Sequence, residues 1–138
     1  MLERCTRALK AAADPTRARI ISLLSGGDEM CVCQVMAVLD MPQSTCSQQL
    51  GILRQAGLVT SQRRGRWAFY RLCRQDDRVN ELCCLVKEWI KGDETAAKDL
   101  ERWQEIRNIP YDQLCSQSAR SVLPGFCSRK GQRKGEVP

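Results

Sequence analysis

The amino-acid sequence predicts a mainly α fold with a small β-hairpin, and three observations carry that expectation. Apolar residues recur at helical spacing in successive segments of residues 1–107. Two of these segments are separated only by the breaker Asp40-Met41-Pro42, where proline disfavours helix at the preceding residue. Two β-prone runs follow, joined through Arg64-Gly65, where glycine permits the positive φ of a tight hairpin.

Taken in order, residues 2–13 read as a helix with Leu2, Cys5, Leu9 and Ala12 on one stripe. A second helix opens on Asp14 as N-cap with Pro15 in its first turn, and Gly26-Gly27 ends it. Its apolar face is Ala18, Ile20, Ile21, Leu23 and Leu24. A third helix spans about residues 33–39. A fourth runs from residue 43 or 44 to 56, with Ser44 as N-cap, Leu50 and Leu53 as its buried edge and Gly57 as its stop. Residues 58–63 and 66–72 form the hairpin. Residues 76–91 form a helix with Val79, Leu82, Leu85, Val86, Trp89 and Ile90 apolar, and residues 93–107 form the last one, with acids in its first turn. Two helices joined by a short turn and followed by a basic hairpin make a winged helix-turn-helix order. Periodicity fades beyond Asn108. The expectation is therefore one domain over residues 1–107 and a flexible tail over 108–138.

Composition narrows the function. The 138 residues are 43% apolar but only 5% aromatic, so aliphatic helix packing must supply the core, and a dimer interface would add to what so small a domain buries alone. The net charge of +6 is unevenly placed: residues 41–75 hold Arg54, Arg63, Arg64, Arg66, Arg71 and Arg74 and no acid. Such a block tolerates a polyanion. No apolar run reaches the length of a membrane span, and the N-terminal segment is charged and amphipathic rather than a signal peptide, so the expected location is cytoplasmic. There the nine cysteines should be reduced, and an odd number of them fits a disulfide framework poorly.

Within the acid-free block, Gln43, Ser44, Thr45, Ser47, Gln48 and Gln49 lie on the predicted fourth helix. These side chains are short or amide-bearing, as a helix entering the major groove requires. Glutamine can pair bidentately with adenine, and serine or threonine can meet bases or phosphates. Arg63, Arg64 and Arg66 at the hairpin tip can reach backbone phosphate or the minor groove. An enzyme is not expected: there is no C-x-x-C motif, no histidine to act as base and no Gly-rich phosphate loop.

Several segments together resemble the ArsR/SmtB family of metal-responsive repressors. They are Leu9-Lys10-Ala11 with Ala13-Asp14-Pro15-Thr16-Arg17, then Gln43-Ser44-Thr45, then Leu53-Arg54-Gln55-Ala56-Gly57-Leu58-Val59, and in the wing Arg64-Gly65-Arg66 and Tyr70-Arg71-Leu72. The resemblance implies a homodimer built on the first and fifth helices, which binds operator DNA in the apo state and releases it on binding an inducer. Gln49 stands where the family often has histidine, and Cys46 where it often has valine.

The segment Glu29-Met30-Cys31-Val32-Cys33-Gln34-Val35 resembles the family's arsenic and antimony motif, with Cys31 and Cys33 at its two leading thiols and Met36 at its third. With no histidine in the chain, all-sulfur coordination remains, which favours thiophilic ions. The reading is a repressor responsive to As(III) or Sb(III), needing no other cofactor. Residues two apart on an ideal helix point about 200° apart. Ligation by Cys31 and Cys33 would then have to unwind the start of the third helix, and thiols there would have a lowered pKa. Cys83-Cys84 is a second candidate ligand pair, near the expected dimer interface. Cys115 and Cys127 lie in a tail that could fold over a site. The alternatives are a sensor of Cd, Pb or methylated arsenic, or a thiol redox switch.

Overall fold

The computed structural model describes residues 1–115, with the side chain of Cys115 and all of residues 116–138 outside the description. The elements are α1 (Leu2–Ala12), α2 (Pro15–Leu24), β1 (Met30–Cys31), α3 (Val32–Leu39), α4 (Gln43–Gln55), β2 (Val59–Arg64), β3 (Trp67–Leu72), α5 (Asp77–Ile90), α6 (Glu94–Ile106) and α7 (Tyr111–Cys115). Three antiparallel strands in the order β1-β3-β2 form the wing.

Local chemistry sets the helix ends. The Asp14 carboxylate accepts from the Arg17 backbone N–H at 3.1 Å while Pro15 occupies the first turn of α2. Asp40 closes α3 in the left-handed region at φ 54°, which aspartate tolerates better than most residues. The N-cap of α4 is Pro42 rather than Ser44. Pro42 is extended, and its carbonyl accepts from Cys46 N–H at 3.1 Å, which starts the helix at Gln43 and leaves Ser44 on the helix itself. The hairpin loop is Gly65-Arg66, one residue later than the sequence suggests, because Arg64 pairs with Trp67. Gly65, at φ 62°, takes the first loop position, as a II′ turn requires.

The core gathers Ile20, Ile21, Leu23 and Leu24 from α2, Val35 and Val38 from α3, Leu50 and Leu53 from α4, Leu58 and Val59 at the start of the wing, and Trp103 and Ile106 from α6. An ion pair with a buried carboxylate and a half-buried guanidinium fastens α6 to α2: Arg19 donates through Nε and Nη2 to the two carboxylate oxygens of Asp99, both at 2.8 Å. Just before β1, Asp28 accepts from Trp103 Nε1 at 3.1 Å and from Arg107 at 3.2 Å.

Two elements lie outside the expected set. β1 is two residues long, and α7 continues the fold past residue 107, with Leu114 buried and Ile109 packed on the core. Of the tail expected to be flexible, residues 116–138 fall outside the described residues.

Candidate nucleic-acid interface and thiol site

Helix α4 divides by periodicity. Cys46, Leu50 and Leu53 point into the core, while Gln43, Ser44, Ser47, Gln48 and Arg54 are exposed. Thr45 and Gln49 are half-buried. Gln49 is engaged within the protein: its Oε1 accepts from Arg17 Nη1 at 2.7 Å. Cys46 is fully buried, and its thiol lies 3.8 Å from the Met41 carbonyl it donates to, so its role is packing.

At the wing tip Arg63, Arg64 and Arg66 are all exposed. They are not equivalent. Arg64 donates to Glu29 at 2.6 Å and lies 4.6 Å over the Phe69 ring, and Arg66 lies 4.7 Å over Trp67. The guanidinium of Arg64 is therefore partly neutralised before any DNA arrives.

Between α4 and the wing lies a cleft of about 650 Å³, lined among others by Cys33, Gln43, Ser47, Arg63, Arg66 and Asp112. Cys33 opens into this cleft. Cys31 does not share its geometry. It is the extended N-cap of α3 (φ −85°, ψ 165°) and pairs through its backbone with Phe69 on the wing strand β3. A capping box holds it: Gln34 Oε1 accepts the Cys31 N–H at 2.9 Å, and the thiol faces the Gln34 backbone N–H. The two cysteines are thus not opposed on one helix, and the 200° argument for unwinding fails. The expectation of a lowered thiol pKa is also overturned at Cys31. Burial raises it, and this outweighs the backbone hydrogen bonds of the helix start.

The fifth-helix pair is split. Cys83 is buried, and burial, reinforced by the neighbouring Cys84 and Cys73 thiols, pushes its pKa up to about 11. Cys84 faces solvent. Among the described residues no three His, Cys, Asp or Glu side chains cluster as a metal cage.

Not every thiol is reduced, contrary to expectation. Among the described residues Cys5, Cys31, Cys46, Cys73, Cys83 and Cys84 carry no disulfide, whereas Cys33 is disulfide-bonded. Among the described residues no helix is long and apolar enough to cross a membrane.

Comparison with known proteins places this geometry. Residues 14–61, from the cap of α2 to the first strand of the wing, match the family model "Bacterial regulatory protein, arsR family". The chain is 41% identical over 89 residues to the arsenic resistance transcriptional regulator ArsR1 of Pseudomonas putida, covering 61% of this chain and 70% of that one. It is 34% identical over 98 residues to the arsenical resistance operon repressor of Bacillus subtilis, covering 67% and 91%. Among solved structures, the homodimeric winged helix-turn-helix DNA-binding domain of a possible ArsR-family regulator from Mycobacterium bovis superposes with a TM-score of 0.57 at 29% identity, covering 67% of this chain and 83% of that one. With the helix-turn-helix, the wing and these relatives in agreement, the chain belongs to the arsR family of bacterial regulatory proteins.

Proposed function

We propose that this protein is a homodimeric repressor that holds operator DNA through α4 and the wing and releases it when arsenite or antimonite binds Cys31 and Cys33. One observation carries the reading. Cys31 joins the wing sheet to the start of α3, and Cys33 lines the cleft between α4 and the wing. A ligand that draws the two sulfurs together acts on both DNA-facing elements at once, which is the differential contact that a coupling between sites needs. The histidine-free donor set suits a thiophilic ion, and the names of the Pseudomonas and Bacillus relatives agree with a metalloid. The dimer is supported by an uncovered apolar stripe on α1 and α5: Leu9 is 51% exposed, Leu85 55% and Trp89 80%.

The test is fluorescence anisotropy of labelled DNA from upstream of the gene, bound by the reduced chain and titrated separately with arsenite, antimonite, cadmium, lead and zinc. Release by arsenite or antimonite with zinc inert is the expected result. Release that persists in the Cys31→Ser, Cys33→Ser double variant sinks the assignment of these ligands. The disulfide at Cys33 favours a second reading, release on thiol oxidation, which predicts loss of DNA binding with peroxide alone and recovery with a dithiol.

A further inference from the structure

The cleft between α4 and the wing is lined by two guanidinium groups, those of Arg63 and Arg66, and by a single acid, Asp112. That acid is foreign to the basic block: residues 41–75 hold none, and α7 brings Asp112 in from beyond the last long helix. Among the described residues, neither Asp112 nor Arg63 nor Arg66 forms an ion pair.

We infer that α7 straps Asp112 beside the wing arginines as a built-in competitor for nucleic-acid phosphate, so that this residue sets the strength of the backbone contact. The inference rests on the DNA-binding part of the reading above and is independent of the inducer.

The strap is fastened at both ends. Ile109 packs on the core before α7, and Leu114 is buried in it afterwards. The Gln113 and Leu114 N–H groups donate to the Pro110 carbonyl at 3.1 and 3.3 Å, which shapes the turn between them, and α7 rests against α3. The Tyr111 ring meets Phe69 at 5.1 Å and Trp67 at 5.7 Å between centroids. Trp67 is also the ring over which Arg66 lies at 4.7 Å. One aromatic side chain thus holds both the strap and a wing cation, and Asp112, the next residue along, is exposed in their cleft.

A phosphate entering that cleft is attracted by two arginines and repelled by one carboxylate. The charges are solvent-exposed, so the penalty is modest and screened by salt. It falls on the part of binding that is blind to sequence, because phosphate contacts position rather than specify. Glu29 acts likewise on Arg64, through a direct ion pair at 2.6 Å. All three arginines of the wing tip are therefore met by an acid delivered from outside the hairpin.

The test is fluorescence anisotropy of the full chain on labelled DNA from upstream of the gene and on a random duplex of equal length. At low salt, Asp112→Asn should bind both duplexes about threefold more tightly than the wild type. The gain should shrink as salt is raised, and Asp112→Glu, which keeps the charge, should match the wild type. Tyr111→Ala cuts the strap, so adding Asp112→Asn in that background should gain almost nothing, the non-additivity of a coupled pair. Asp112→Asn binding no tighter than the wild type, or a gain indifferent to salt, overturns the inference while leaving the DNA reading intact. An undiminished gain in the Tyr111→Ala background overturns the role of α7. A wild-type chain that binds neither duplex overturns the reading beneath it. Circular dichroism monitors the fold of each variant.

Discussion

Arg17 donates from Nη1 to Gln49 Oε1 at 2.7 Å and from Nε to the Ala11 carbonyl at 2.5 Å, so one guanidinium ties the end of α1 and the body of α2 to the outer edge of α4. The placement of α4, the helix that the proposed function turns toward DNA, is thereby set partly by α1 and α2. Arg17→Ala removes charge-assisted bonds to a half-exposed edge, a loss of about 1 kcal/mol. Operator affinity should fall roughly fivefold by anisotropy. Gln49→Ala, which removes only the acceptor, should fall less. An Arg17→Ala protein that binds as tightly as the wild type would show that the brace does not position α4.

On the wing the arginines should separate by their intramolecular partners. Arg63→Ala and Arg66→Ala should weaken operator and random DNA alike and lower the salt slope by about one each. Arg64→Ala should do less, since Glu29 already shares its charge. Gln48→Ala, on the exposed face of α4, should instead reorder the ranking of operator variants, for base contacts rather than phosphate contacts carry sequence. Binding curves at several salt concentrations read both effects.

The pair Arg19 and Asp99 predicts a stability effect away from the DNA face. Asp99 is 3% exposed, and its removal leaves the Arg19 guanidinium without its bidentate acceptor. Asp99→Ala should cost about 3 kcal/mol in urea unfolding. The Arg19→Met, Asp99→Leu double variant should recover most of that, since it leaves no buried charge unpaired.

Alkaline pH should unfold the protein through its buried thiols. An unfolded cysteine titrates near 9.0, whereas burial raises Cys31 and takes Cys83 up to about 11. The folded state thus holds its protons longer than the unfolded chain. The stability that goes with the neutral thiols is complete below about pH 9 and is lost as pH rises through about 11. Denaturation midpoints across that window should fall, and Cys83→Ala should flatten the decline relative to its own value at neutral pH.

Much of this architecture is legible in local chemistry. Asp14 before Pro15, the breaker at Asp40-Met41-Pro42 and Gly65 in the hairpin each report a backbone requirement within a few residues, and each sits where the structure uses it. The alternation of Cys46, Leu50 and Leu53 with exposed amides likewise shows which side of α4 is free. What escapes is long in sequence or short in extent. Arg17 and Gln49 are 32 residues apart, and no pattern on either helix announces their bond. β1 has two residues and α7 five, too few for a period to emerge. Cys31 reads as the first turn of a helix, but pairing with Phe69 holds it extended, and only the tertiary fold supplies that partner.

The sheet order β1-β3-β2 leaves β2 on an open edge, with every residue after Val59 exposed. An edge of that kind offers unpaired amides and carbonyls to any passing strand, and positive side chains are a common deterrent. Arg63 and Arg64 stand on it. Their charge therefore also bears on colloidal behaviour: a wing made neutral at these positions would become a template for chain-to-chain growth, so solubility and the proposed phosphate contact are coupled at the same two positions.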